Sequence, residues 1–174
     1  MELNIGKPAS MNEILQSREQ RCARQNTLIN KFNLPIVSLT VNIPGSVKLI
    51  EKSIKIFNVA FDEITSILSQ YIRYSDKEYL ISGCQGYFVV DMPAKKLKEL
   101  MCNLEDNHAL GRLFDADVID INMSHLSRRD MNIAERKCLI CNQPATFCAR
   151  SRNHSVEALL TEIDRIFCDW ENIL

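Results

Sequence analysis

The sequence predicts an α+β domain in which helices pack on a small mixed sheet. Two observations favour this class: long segments with the three- and four-residue apolar spacing of amphipathic helices, and short β-branched segments between them. The 174 residues fit one domain, spanning 1–174. With 46% apolar and 25% charged residues, the composition excludes a disordered chain.

The first half of the chain contains three predicted elements. A capping box at Ser10 and Glu13 begins a helix that runs to about residue 32. A buried strand follows over 36–43 and ends at a Pro-Gly turn. Apolar residues then recur at helical spacing over about 47–71.

The second half adds three strands and two helices. Short strands over 79–81 and 87–90 are predicted to pair as a hairpin. A proline-initiated helix covers about 93–105, and a further strand covers about 115–121. After a cysteine-rich loop, Ser155 begins the last helix.

Charge and cysteine content exclude several function classes. Because 21 basic and 22 acidic residues give a net charge of −1, nothing attracts the whole chain to nucleic acid or to a membrane surface. The first residues lack signal features, and no segment is apolar enough to span a membrane. The number of cysteines is odd, and four of the seven are scattered among apolar residues, which indicates reduced thiols. We therefore predict a cytoplasmic protein. Neither a Walker loop nor a Rossmann fingerprint is present, so side chains must bind any phosphate.

A first candidate site is the sequence Asp115-Ala-Asp117. Alternate residues of a strand point to one face, which places the two carboxylates side by side. A divalent cation such as Mg²⁺ relieves the repulsion between them and is typical of phosphoryl-transfer sites. The alternative is a solvated pair at the start of a strand.

A second candidate site is basic. Arg18 and Arg21 are predicted to face inward, on the apolar stripe of the first helix. That stripe is defined by Met11, Leu15, Cys22 and Ile29. A buried guanidinium needs a partner, so these arginines pair either with internal carboxylates or with a ligand phosphate. Lys48, soon after the Pro-Gly turn, is either an anion ligand at a helix start or a surface lysine.

Two further segments carry chemistry-bearing residues. Glu105 and His108, followed by Arg112, lie immediately before the carboxylate pair. The cysteine-rich loop, residues 136–154, offers four ligands of the types that bind Zn²⁺, namely Cys138, Cys141, Cys148 and His154. Without metal, the same residues would be packed thiols beside an arginine-rich segment.

Five ordered motifs together resemble a known family. They are Ser-Arg-Glu-Gln-Arg-Cys-Ala-Arg-Gln at 17–25, Asn-Ile-Pro-Gly with a following lysine at 42–48, Glu-Asp-Asn-His-Ala-Leu-Gly-Arg-Leu-Phe-Asp-Ala-Asp-Val at 105–118, Leu-Ser-Arg-Arg-Asp at 126–130, and the cysteine-rich loop. The set resembles the phosphoribosyl-dephospho-CoA transferases of citrate lyase, also called citrate lyase holo-acyl-carrier-protein synthases, over about residues 10–165. Ala109 and Ala116 stand where that family commonly has proline and isoleucine.

The resemblance implies a reaction. The prosthetic group of triphosphoribosyl-dephospho-CoA is joined to a serine of the citrate lyase acyl carrier subunit, and pyrophosphate is released. The related malonate decarboxylase enzymes carry a nucleotidyltransferase-like D-x-D, which implies a nucleotidyltransferase-like fold and Mg²⁺ at Asp115 and Asp117. Glu105 or His108 would then accept the serine proton.

The same resemblance assigns a role to the basic residues. The leaving pyrophosphate would be neutralised by Arg18, Arg21, Lys48 and Arg112.

Two rival functions come from other classes. One is a zinc-knuckle module that binds nucleic acid, against which the net charge argues. The other is a noncatalytic scaffold for the lyase, for which the carboxylates would be dispensable.

Overall fold

The computed structural model describes residues 3–173 and contains helices on both sides of one sheet. The helices are α1 (Met11–Phe32), α2 (Glu51–Ile67), α3 (Ala94–Asn107), α4 (Ala145–Ser151) and α5 (Val156–Glu171). The strands are β1 (Ile36–Val41), β2 (Ile72–Leu80), β3 (Gly83–Val90), β4 (Phe114–Ile119) and β5 (His125–Leu126). Single 3-10 turns occupy Gly111–Leu113 and Arg129–Met131.

The five strands form a sheet of order β2-β3-β1-β4-β5 in which every neighbouring pair is antiparallel. The α+β class is confirmed, but the prediction of a mixed sheet is wrong. Helix α3 connects β3 to β4, and these strands run in the same direction. They are not neighbours, because β1 lies between them and runs opposite to both.

Several predicted boundaries also shift. The predicted strands 79–81 and 87–90 belong to one hairpin, 72–80 with 83–90, but they do not pair with each other. A two-residue turn follows Leu80, and residues 87–90 pair with 72–76. In the first part of β2, exposed residues alternate with half-buried ones, as is typical of an edge strand. A search for apolar segments does not detect such a strand. Helix α2 begins at Glu51 rather than near residue 47.

The larger hydrophobic core lies on one face of the sheet. Helices α2, α3 and α5 pack there through residues such as Phe57, Leu97 and Phe167. Helix α1 covers the other face, where Leu28 and Ile29 form a smaller cluster with Tyr87.

The predicted apolar stripe of α1 is wrong. Met11, Leu15 and Cys22 are exposed, and the inner face of the helix is instead partly polar. Gln25 donates to Ser38 at 2.9 Å, and Gln85 donates to Ser17 at 2.7 Å. These hydrogen bonds satisfy the buried polar atoms, so a polar helix face can pack on the sheet.

The residues that the structure describes include no helix that is both long and apolar enough to cross a membrane.

Candidate functional site

The carboxylate pair lies on β4, on the sheet face that α1 partly covers. In the register with β1, Asp115 is opposite Thr40 and Asp117 is opposite Ser38. The Thr40 hydroxyl donates to Asp115 Oδ2 at 3.2 Å, whereas Asp117 is exposed. Burial, together with the negative charge of Asp117, raises the pKa of Asp115. A bound cation would relieve both effects.

A basic cavity of about 210 Å³ adjoins this pair. Its wall includes Arg18 and Arg21 from α1, Lys48 from the segment after β1, and Asp115. Arg18 is exposed rather than inward-facing, and Arg21 is half-buried. Neither arginine forms a salt bridge to any carboxylate within residues 3–173, so their charges are available to an anionic ligand.

Arg24, the third arginine of the same motif, forms hydrogen bonds within the protein. Arg24 donates to Asp76 at 2.8 Å and to the Tyr74 hydroxyl at 2.8 Å. The sequence allowed two partners for the arginines of this segment, namely internal carboxylates or a ligand phosphate. The structure pairs Arg24 internally and places Arg18 and Arg21 on the basic cavity.

Lys48 lies beside the basic cavity but not in the first turn of a helix. Its Nζ donates to the Ile43 carbonyl oxygen, and α2 begins three residues later. Burial, together with the positive charge of Arg18, lowers the pKa of Lys48. An anion in the cavity would compensate this concentration of positive charge.

Glu105 is a buried anchor on the far side of Asp115. Its Oε1 accepts from the Ala116 backbone N–H at 3.0 Å, and its Oε2 accepts from Arg128 at 2.8 Å. Only 4% of its side chain is exposed. Arg136 Nη1 lies 3.9 Å from Glu105 Oε1 and 3.8 Å from Asp115 Oδ1. Both oxygens of Glu105 are therefore engaged, one by β4 and the other by Arg128.

His108 lies away from the carboxylate pair. Its ring packs on Phe114 with centroids 5.1 Å apart, and Phe114 points to the opposite face of β4 from Asp115. The ring Nδ1 accepts from the Leu110 backbone N–H at 3.0 Å. Burial lowers the pKa of His108. The structure therefore does not bring His108 together with the other predicted site residues.

Arg112 also lies outside the basic cavity. One of its guanidinium nitrogens donates to the carbonyl oxygens of Lys137 at 2.5 Å and Cys138 at 3.0 Å. Arg136, in return, donates to the carbonyl oxygens of Gly111 at 3.3 Å and Arg112 at 3.0 Å. These reciprocal bonds fasten the cysteine-rich loop to the segment before β4.

The four predicted zinc ligands do come together. The ligand atoms of Cys138, Cys141, Cys148 and His154 all lie within 4.8 Å of one another. Cys141 Sγ is 3.5 Å from Cys148 Sγ and 3.4 Å from His154 Nε2. Tetrahedral zinc with Zn–S bonds of about 2.3 Å places its sulfurs about 3.8 Å apart, so the donor set and spacing fit that ion.

The local fold explains how these ligands meet. A turn closed by Cys138 N–H donating to the Gln143 carbonyl at 2.8 Å positions the first two cysteines, and α4 carries the third. Arg152 ends α4 in a left-handed conformation with a φ of 49°, which turns the chain back toward His154. Burial acts to raise the pKa of Cys138, but hydrogen bonds from the backbone N–H groups of Cys141 and Ile140, together with those from the Cys148 and Cys141 side chains, lower it overall.

Two residues of the site have no role that the sequence predicts. Arg136 borders both the carboxylate pair and the cysteine-rich loop. Its place in one of the five motifs was the only feature of the sequence that pointed to a functional role. Thr40 contacts Asp115 through the β1–β4 register, which no sequence pattern specifies.

Comparisons with known proteins agree with the motif resemblance. Residues 9–170 match the model of the family described as apo-citrate lyase phosphoribosyl-dephospho-CoA transferase. A relative from Vibrio cholerae serotype O1 (strain M66-2), named probable apo-citrate lyase phosphoribosyl-dephospho-CoA transferase, is 36% identical over 165 residues, covering 92% of this chain and 93% of its own. A relative from Escherichia coli O7:K1 (strain IAI39 / ExPEC), with the same name without "probable", is 36% identical over 171 residues, covering 97% and 93%.

Proposed function

Because the chain belongs to the apo-citrate lyase phosphoribosyl-dephospho-CoA transferase family, we propose that it attaches this prosthetic group to citrate lyase. The donor is triphosphoribosyl-dephospho-CoA, and the acceptor is a serine of the acyl carrier subunit. A phosphodiester bond forms between the serine oxygen and the α-phosphorus of the donor. The bond from that phosphorus to the bridging oxygen breaks, and pyrophosphate leaves.

One observation carries this proposal: Asp115 is shared by two neighbouring cavities. One is the basic cavity with Arg18, Arg21 and Lys48. The other, of about 270 Å³, holds both carboxylates of the pair and that of Glu105, and we call it the carboxylate cavity. It is also lined by Lys98, Arg128 and Arg136. A polyphosphate held in the basic cavity would present its α-phosphate at the carboxylates.

Mg²⁺ fits the carboxylate pair, because two carboxylates on one strand face offer oxygen ligands. Among residues 3–173, no cationic side chain lies closer to Asp115 than Arg136, at 3.8 Å. When bound, Mg²⁺ would polarise the α-phosphate and offset the charge that develops during transfer. Asp115 and Asp117 would hold the ion.

The chain's other residues position the reactants. Arg18, Arg21 and Lys48 bind the β- and γ-phosphates and stabilise the charge of the leaving pyrophosphate. Glu105 has both oxygens engaged, and His108 lies across the sheet, so neither is suited to accept the serine proton. We assign that proton to Asp117, whose carboxylate accepts no hydrogen bond within residues 3–173.

The direct test is the intact mass of the acyl carrier subunit after incubation with the protein, triphosphoribosyl-dephospho-CoA and Mg²⁺. We expect the carrier mass to increase by one phosphoribosyl-dephospho-CoA group and an equal amount of pyrophosphate to appear. A carrier with alanine in place of the acceptor serine is the control. An unmodified carrier under conditions in which the protein binds it would support the noncatalytic scaffold instead.

We also propose that the cysteine-rich loop holds one structural Zn²⁺ through Cys138, Cys141, Cys148 and His154. The spacing of the four ligand atoms supports this. The loop contains one short helix, in which Cys148 is the buried residue, so a metal would contribute much of its stability. Packed reduced thiols are the alternative.

Elemental analysis of protein purified without added metal separates the two. We expect about one zinc per chain, lost together with thermal stability in Cys141→Ser. Cys22→Ser is the matched control, because Cys22 is exposed on α1. A fully active preparation without zinc would overturn the metal assignment.

The zinc-knuckle function has no support from the comparisons, because the matching family is one of transferases. A cytoplasmic location stays a prediction, consistent with seven free thiols.

A further inference from the structure

A third cavity, of about 410 Å³, lies between the cysteine-rich loop and the end of β1. We call it the apolar cavity. Its apolar wall comes from Ile43, Pro44, Leu139, Ala149 and Leu159. The proposed zinc ligands Cys138, Cys148 and His154 also border it. The volume lies within the range of about 300–1,000 Å³ that small-molecule sites occupy.

The apolar cavity adjoins the two cavities already described. It shares Asn42 and Ile43 with the basic cavity and Arg136 with the carboxylate cavity. A ligand whose phosphates occupy the basic cavity would therefore have the apolar cavity next to it.

The polar residues of this cavity match a flat heterocyclic base. Arg112 and Arg136 both border it, and backbone carbonyls hold N–H groups in the plane of each guanidinium. A guanidinium held in this way can stack on an aromatic ring through its flat face.

Two further side chains could recognise the edge of a base. Asn42 and Thr146 line the cavity and are exposed, and neither side chain forms a hydrogen bond among residues 3–173. An asparagine amide can donate to and accept from adenine at once, which gives it selectivity for that base.

We propose that the apolar cavity binds the adenine of the dephospho-CoA moiety. This inference rests on the proposed function for the identity of the ligand. It deepens that function by assigning substrate recognition to the cysteine-rich loop, which the reaction chemistry leaves without a role.

The test is binding of dephospho-CoA, which lacks the triphosphoribosyl group, measured without carrier and without Mg²⁺. In saturation-transfer NMR we expect the adenine protons to receive the strongest signal, and AMP to compete while phosphopantetheine does not. Ala149→Trp fills the cavity from an exposed position and should weaken affinity by at least about tenfold, the loss of one stacked base. Ala23→Trp, exposed on α1, is the matched control.

The outcomes separate this inference from the proposed function. Asp117→Asn should bind dephospho-CoA normally. Suppose that dephospho-CoA binds the wild-type protein, that Ala149→Trp abolishes this binding, and that the wild-type protein transfers no prosthetic group to the carrier. The adenine site is then supported and the transferase proposal fails. If transfer occurs but Ala149→Trp and Ala23→Trp bind equally well, the adenine site is wrong. Strongest saturation of the pantetheine methyl groups would also overturn it.

Discussion

Replacing Glu105 by Gln distinguishes a positioning role from a role as general base. Glu105 is fully buried, and it contacts Arg128, whose side chain is 11% exposed. Removing one partner of a buried ion pair costs about 3–5 kcal/mol. Arg128 keeps a second carboxylate, Asp106, at 2.8 Å, and glutamine can still accept from Ala116 N–H. We therefore expect a smaller loss, about 2–3 kcal/mol, or a decrease in Tm of about 5–10 °C.

Calorimetry and transfer kinetics on the same variant test this. Below its Tm, Glu105→Gln should keep kcat within about tenfold of wild type, because Asp115 and Asp117 remain. Asp106→Asn is the matched control: its carboxylate is half-exposed and should contribute no more than about 1 kcal/mol. A Glu105→Gln variant with unchanged Tm and kcat reduced by about 10²–10⁴ would refute the positioning role and identify Glu105 as the base.

Three other predictions follow from single features of the site. The pKa of Asp115 is raised in the folded protein. Its protonated carboxyl group therefore contributes to folding stability below the unfolded pKa, about 3.9, and this contribution is lost as pH rises through the folded pKa. Asp115→Asn should therefore have a higher Tm than wild type at pH 7 and lose that advantage near pH 4, as calorimetry across this range would show; an equal Tm at pH 7 would contradict it. Gly111→Ala should destabilise by about 2–3 kcal/mol in urea unfolding, because its Cβ would lie 2.5 and 2.6 Å from carbonyl oxygens at the end of α3; wild-type stability would show that those carbonyls can move. Arg21→Ala should weaken pyrophosphate binding by about tenfold in calorimetric titration, whereas Arg24→Ala should not, because Arg24 is paired with Asp76; equal losses would remove the distinction.

The sequence predicted the elements whose signals are local. The capping box at Ser10 and Glu13, the helix start at Ser155 and the two carboxylates on one strand face are all present in the structure. The zinc ligand set is also local, within one loop of the chain, and its four members converge as expected.

The remaining features depend on contacts between distant segments. The apolar pattern of α1 predicted that Arg18 faces inward. In the structure, the buried face of α1 is instead partly polar, and its polar groups form hydrogen bonds with Ser38 on β1 and Gln85 on β3. The direction of the strands was mispredicted because β1 inserts between β3 and β4. The engagement of Glu105 by Arg128 likewise joins segments 23 residues apart, which neither spacing nor composition specifies.

The site assignment is tested most directly by comparing transfer rates of Asp117→Asn and Asp120→Asn. Both changes remove one negative charge from the same region, but Asp120 lies just beyond β4 and accepts from the Ile121 N–H at 2.8 Å. We expect Asp117→Asn to lose at least about 10²-fold in the rate of carrier modification at saturating Mg²⁺, and Asp120→Asn to stay within about twofold of wild type. Equal rates for the two variants would contradict the assignment of the carboxylate pair to the transfer reaction.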